Sequence, residues 1–286
     1  PWVRDNAAML EVARLSEEAD LYTLEIDAHH EPRDGRYPLT YSRMSVALNS
    51  VVEVTGRPLM AWAFLVTPFY NEYSVAFTRP YLAIHLASRT QVHDHFDLYT
   101  SVLSQGRNSP AARQFGHYQR FLARYSWYLT DPTLRWRRDA ASQLRVDAHR
   151  ELFWEYTVYE RPRAGGGRQV VMHLLNLPDD NAILGQQQIP PSVQNVTVRV
   201  PPGWGEQRAV CLRADDHDLE PLLLEPQERG PNGTAWRVPP IPCWSIVVLD
   251  TNPTLPGDAQ PPVPPRAVTD SATRPAESEK QKPGNR

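Results

Sequence analysis

Four residues closing the segment LYTLEIDAHH, namely Glu25, Asp27, His29 and His30, carry the side chains that acid–base catalysis, metal binding or hydrogen bonding to a polar ligand require. The run is apolar before it turns acidic, the pattern of a buried strand reaching a wet end. Neighbours on a strand point to opposite faces, so Tyr22, Leu24 and Ile26 share one face and Thr23, Glu25 and Asp27 the other. The acids thus sit together, and the apolar face is the one expected to meet covering helices. His29 and His30 read as solvated loop residues. His93 and His95, in HDH, fall on one side of an extended segment, but no third ligand at a recognised spacing accompanies them. No metal is expected.

The elements that must hold these residues begin as an alternation of helix and strand, the rhythm of an α/β protein with parallel strands. Asp5 can cap a helix carrying Met9, Val12 and Ala13, and LYTLEID follows as a strand. Thr40 caps the next helix, in which Tyr41, Met44, Leu48 and Val51 recur along one stripe, and Gly56 stands where a left-handed C-terminal residue is wanted. PLMAWAFLV is then a continuous apolar run suited to a strand buried on both faces. A third helix is expected over EYSVAFTRPYLAIHL, kinked or divided at Pro80. After a polar loop around GRNSP, an amphipathic helix places Phe115, Tyr118, Phe121, Leu122 and Tyr125 on one side, to cover the core.

From about residue 140 the helical period is lost. ELFWEYTVYERP, GGGRQVVMHLLNLP, VQNVTVRVPPG, QRAVCLRAD, TAWRVPPI and CWSIVVLD read as strands separated by turn residues, a β-sandwich signature, with RAGGGRQ as a hairpin loop. Beyond Thr251 the chain is rich in Pro, Ser, Thr, Glu and Lys and poor in apolar residues, and a disordered tail over 251–286 is expected.

Composition removes several functions. The 286 residues are 41% hydrophobic and 22% charged, enough to bury a sizeable core. A net charge of −3 without a basic block argues against nucleic acid as partner. The longest apolar run is too short to span a bilayer, so no membrane is expected either. Cys211 and Cys243 match no zinc spacing and read as buried small residues or one optional disulfide. No P-loop, GxGxxG, HExxH or Ser-His-Asp order is present, and no cofactor is expected. The sequons at Asn195 and Asn232 matter only in a glycosylating, secreting host. The compartment stays open, with an extracellular one favoured.

The order of LYTLEIDAHH, an amphipathic helix, GRPLMAWAFL, a helix leading to TQVHDHFDLYTSVL, the aromatic helix YQRFLARYSWYLTDP, VVMHLLNL and a sandwich ending PCWSIVVLD resembles the C-terminal half of glycoside hydrolase family 66. That family comprises dextranases and cycloisomaltooligosaccharide glucanotransferases, retaining enzymes built on a (β/α)8 barrel followed by a β-sandwich. The resemblance implies that 1–139 are the end of a barrel, with LYTLEID and PLMAWAFLV as its seventh and eighth strands, and that 140–250 are the sandwich. The family's nucleophilic aspartate and acid/base glutamate lie on earlier strands and map onto no residue here. The chain alone is then expected to be inactive, its partner an α-glucan or oligosaccharide. A noncatalytic carbohydrate-binding or structural remnant is the alternative.

Under the same resemblance the face of Glu25 and Asp27 turns inward, with its last positions at the mouth where barrel loops build sites. The two acids become substrate-binding residues that accept hydroxyl hydrogen bonds, or else a barrel ion pair and a loop cap. Phe69, Tyr70 and Tyr99 are candidates for a flat platform under a sugar ring, whereas Trp62 is assigned to the core. Among the sandwich tryptophans, Trp204 in PPGWGE is expected to be exposed, and Trp154, Trp236 and Trp244 to pack between the sheets.

Overall fold

The computed structural model of the chain describes residues 22–27, 41–56, 59–64, 75–92, 110–163, 167–178, 190–202, 204 and 208–250. All of them belong to one compact unit, Pro1–Pro253. The expected helix after Asp5, the Thr40 cap, the GRNSP loop and the tail over 251–286 lie outside the described residues.

Three parallel strands open the fold. β1 (Tyr22–Asp27) pairs with β2 (Leu59–Phe64), and β2 pairs with β3 (Thr90–Val92). Helix α1 (Tyr41–Thr55) connects the first two and α2 (Val75–Ala87) the second and third, because parallel neighbours require a crossover. β3 was not anticipated, being too short to show a pattern. It also corrects the strand count. If β1 and β2 were the seventh and eighth strands of a barrel, the far edge of β2 would belong to the barrel's first strand, but β3 holds it.

The stripe anticipated in α1 is buried in full: Tyr41, Met44, Leu48 and Val51 all face inward. Gly56 ends the helix at φ +62°, its amide donating to the Val52 carbonyl at 2.9 Å. α2 passes through Pro80 without dividing and carries a stretch buried all round, Leu82 to Ala87. Helix α3 (Pro110–Tyr125) buries Tyr118, Phe121 and Tyr125.

The sheet-rich part consists of a six-stranded and a four-stranded sheet. The first has the order β10 (Leu222–Leu224), β9 (Arg208–Arg213), β13 (Trp244–Asp250), β7 (Arg168–Leu175), β6 (Val158–Pro162) and β4 (Arg135–Trp136). The second has the order β11 (Pro226–Gly230), β12 (Gly233–Val238), β8 (Val196–Val200) and β5 (Arg145–Asp147). Every pairing within the two sheets is antiparallel.

An antiparallel sheet with one wet face alternates apolar and polar residues, yet β13 is buried at every position and β7 at nearly every one. Both of its faces are covered. Val171, Leu175, Trp244, Ile246 and Val248 join the apolar cluster of α1, α2 and α3. Their neighbours Val170, Met172, Leu174, Val247 and Leu249 join the cluster shared with Val196, Val198, Trp236 and Val238 of the four-stranded sheet. The layers are therefore helices, large sheet, small sheet. Tyr118 and Phe121 meet Trp244 edge-on, with ring centroids 5.6 and 5.0 Å apart, contacts worth ~0.5–1.5 kcal/mol each beyond their buried area.

The same layering separates the cysteines. Cys211 lies in the cluster between the sheets and Cys243 in the cluster under the helices, so both are free and buried. Burial pushes the Cys211 thiol up to about 12 and the Cys243 thiol higher still, which makes both poor nucleophiles.

Two glycines allow a contrast in stability. A Cβ on Gly56 would meet open space, whereas one on Gly233, at φ +100°, would lie 1.9 Å from the Val200 carbonyl oxygen. Gly56→Ala is expected to lose about 1 kcal/mol from the left-handed backbone alone, and Gly233→Ala roughly 1–3 kcal/mol more. Urea midpoints compare them, and equal losses would mean that the β11–β12 turn shifts freely.

Candidate functional site

The register of the parallel sheet decides which strand positions share a face. Glu25 pairs with Trp62 and Asp27 with Phe64, while Thr23 pairs with Met60 and, beyond it, Gln91. The opposite face carries positions 22, 24, 26, 59, 61, 63, 90 and 92. Leu59 and Thr90 from that set are buried, and Leu59 belongs to the helix-side cluster. By alternation the acid-bearing positions lie on the face away from the helices. Trp62, assigned to the core from sequence, stands in register with Glu25. Phe69, Tyr70 and Tyr99 lie outside the described residues, as do His29, His30, His93 and His95.

Elsewhere, buried acids are consumed by structure. Asp215 accepts from Arg79 at 2.7 Å and Tyr118 at 2.8 Å through Oδ1, and from the amides of Cys243 and Trp244 at 2.8 and 2.9 Å through Oδ2. Burial and that carboxylate keep the Tyr118 phenol well above its usual range, so it remains a donor. The buried guanidinium of Arg161 faces Asp131 at 3.4 Å, donates twice to Gln169 Oε1, and stacks 4.0 Å over Trp127. Gln169 in turn donates to Asp250, which also accepts from Arg163 at 2.5 and 3.0 Å. Burial lowers Arg161 to about 10 against the pull of Asp131, which leaves it charged. Arg89, at φ +58°, joins Glu53 at 2.6 Å and the Leu134 carbonyl at 2.6 Å. These groups are spent on one another, fastening helices and turns to the sheet. Among the described residues no cluster of three metal-ligating side chains occurs.

Trp204 corrects the sequence expectation. It is half-buried against the inter-sheet cluster, and the Arg168 guanidinium lies 3.9 Å above its ring, so it offers no free face. Trp236 packs between the sheets as expected, whereas Trp244 packs on the helix side.

What sequence reading did not find is a cleft of about 980 Å³ between the start of α1 and the segment 144–156, lined also by Leu177, Pro178 and Pro190. Phe153, Trp154 and Tyr156 contribute rings, and Arg145, Arg150, Glu151 and Glu155 contribute charge. Tyr156 is 38% exposed, and its ring lies 5.9 Å from that of Phe153. The Tyr156 carbonyl, by contrast, is a fixed part of the fold, accepting from Asn49 Nδ2 at 3.1 Å and Trp136 Nε1 at 3.0 Å. The lining comes from stretches far apart in sequence and without regular period, which is why no motif announced it.

Neither a family model nor a curated protein matches the chain. Among solved structures, a cycloisomaltooligosaccharide glucanotransferase of Paenibacillus sp., complexed with cycloisomaltoheptaose, is similar over 60% of this chain at 15% identity, with a TM-score of 0.48. The chain covers 27% of that structure, about a quarter of its length. The protein named is of the enzyme group that the element order resembles, and a likeness of this size decides neither fold nor function.

Proposed function

We propose that the chain is the C-terminal portion of a retaining glycoside hydrolase or transglycosylase acting on α-glucan, and that it binds sugar without carrying the catalytic carboxylates. In this reading 1–139 are the end of a (β/α)8 barrel whose closing strands are β1, β2 and β3. Residues 140–250 form its sandwich and 251–286 a Pro-rich tail. The observation that supports it best is the register of Glu25 with Trp62 and Asp27 with Phe64. Two acid positions on β1 then stand beside two aromatic positions on β2 on one face, and sugars need both: carboxylates accept hydroxyl hydrogen bonds, and rings pack against C–H faces. Phe69, Tyr70 and Tyr99, following β2 and β3, extend the platform. Glu25 and Asp27 orient glucan and are not the cleaving pair, which in a retaining enzyme stands about 5 Å apart across the scissile bond.

Calorimetric titration of the chain with isomaltooligosaccharides tests this reading. Glu25→Gln and Asp27→Asn are each expected to weaken binding about tenfold, equivalent to ~1.4 kcal/mol, while the chain releases no reducing sugar from dextran. Unchanged affinity in both variants would remove the site, and hydrolysis by the chain alone would remove the noncatalytic assignment.

A further inference from the structure

We infer that the cleft between α1 and segment 144–156 is a second binding site, for a neutral oligosaccharide. Its volume, about 980 Å³, stands at the upper end of what small-ligand pockets occupy, ~300–1,000 Å³. Its charge is balanced, Arg145 and Arg150 against Glu151 and Glu155, so a strongly anionic or cationic ligand would meet repulsion from one pair as it met attraction from the other. A hydroxyl-rich neutral ligand uses both signs.

The partners already taken refine the roles. Arg150 donates to Asn176 Oδ1 and to the Pro191 carbonyl at 2.8 Å, and Arg145 donates to Asp147 at 2.7 Å. Arg150 is therefore held as a wall, whereas Arg145, with 73% of its side chain exposed, stays at the rim. Glu151 and Glu155 are exposed and form no ion pair among the described residues, which leaves their oxygens to accept ligand hydroxyls. Tyr156 and Phe153 form the floor: two rings 5.9 Å apart and tilted by 39°, a surface on which consecutive sugar rings can lie with their C–H faces down.

The cleft also has a definite place in the topology. α1 runs back from the C-terminal end of β1 to the N-terminal end of β2, so Tyr41 and Ser42, which line the cleft, mark the end of the sheet at which the strands finish. That is the end where βα loops build ligand sites in such folds. A glucan held along the acid-bearing face of the sheet and a chain segment held in the cleft would meet the protein at the same end.

The test uses isomaltoheptaose and the full chain, read by NMR titration and calorimetry. It begins from the Glu25→Gln/Asp27→Asn double variant, which silences the face proposed above. Tyr156→Ala is the probe, because Tyr156 lines the cleft and the change spares the carbonyl that Asn49 and Trp136 bond. Circular dichroism melting of Tyr156→Ala checks that the fold is kept, and Tyr156→Phe retains the ring. Saturable binding is expected in the double variant, weakened at least tenfold by adding Tyr156→Ala and less than threefold by Tyr156→Phe. Loss of all binding in the double variant alone, or indifference to Tyr156→Ala, would overturn the cleft site and leave the proposed function standing. Binding that depends on Tyr156 but not on Glu25 or Asp27 would support the cleft and remove the proposed function.

Discussion

Asp215→Ala is expected to lower the stability of the folded unit by about 3–5 kcal/mol, the loss that follows when one partner of a buried ion pair is deleted. The carboxylate is almost fully enclosed, with 4% of its side chain exposed against 18% for Arg79. It satisfies Arg79 and Tyr118 from the helices and two consecutive amides, those of Cys243 and Trp244, where β13 begins. Its removal strands a guanidinium, a phenol and two amides together, each carrying its own desolvation penalty. Asp215→Asn should lose less, since a carbonyl oxygen can still accept the amides although it no longer balances Arg79. Guanidinium denaturation of both variants, of Arg79→Met and of the Asp215→Ala/Arg79→Met double variant gives the coupling. A loss of under about 1 kcal/mol for Asp215→Ala would place this pair with exposed surface ion pairs, and the helix layer would then be held by apolar contact alone.

That node also explains how far the sequence could be read. The stripe of α1 at Tyr41, Met44, Leu48 and Val51 was legible because helical period is a local property, and all of it is buried. The amphipathy of α3 was equally plain, but amphipathy names a face and no partner. Nothing local says that Tyr118 and Phe121 lie on Trp244, a strand residue more than a hundred positions away. The clue was in β13 itself: SIVVLD has no wet face, and a sandwich strand that does not alternate needs a third layer. Asp215 was illegible because it sits in a turn beside Asp216, which pairs with Arg213, with nothing in the sequence to say which of the two acids is the enclosed one.

The candidate site divides in the same way. Alternation along LYTLEID put Glu25 and Asp27 on a common face, and parallel pairing with β2 preserves that arithmetic because register partners share a face. Trp62 shares that face by register, which the sequence could not say, since an apolar run buried on both faces gives no internal sign of which face each residue takes. The cleft residues gave less still. ELFWEYTVYERP reads as one strand, yet only Val158–Pro162 belongs to β6, and Phe153 makes a single bridge to Leu175. Residues 151–156 are irregular backbone, and the Tyr156 carbonyl, which a strand assignment would have spent on a ladder, accepts from the side chains of Asn49, Trp136 and Ser45.

His173 should make the stability of this chain fall steeply in mild acid. The ring is fully buried in β7, stacked on Trp244 at 5.8 Å and set edge-on to Tyr159 at 5.6 Å. Nδ1 accepts from Trp244 Nε1 at 3.2 Å, so the neutral ring carries its hydrogen on Nε2, which has no partner among the described residues. Protonation would add a charge with no counter-charge and no water, and burial accordingly lowers the imidazole from 6.5 to about 3. Between those values the unfolded chain binds a proton that the folded chain refuses. Stability is unaffected by this group above pH 6.5 and falls as pH drops towards 3, by up to ~1.4 kcal/mol per pH unit, or about 2 kcal/mol by pH 5. Carboxylates in ion pairs also respond to acid, so the group is isolated by comparison with His173→Phe, which keeps a ring between Trp244 and Tyr159 but cannot titrate. Guanidinium denaturation at pH 7.5, 6, 5 and 4 should give a slope of stability on pH shallower by one proton in the variant, even though the loss of the Trp244 acceptor lowers its stability at pH 7.5. Identical slopes would mean that the imidazolium finds a partner on acidification, and the layer between helices and sheet would then be open to water in a way its apolar lining argues against.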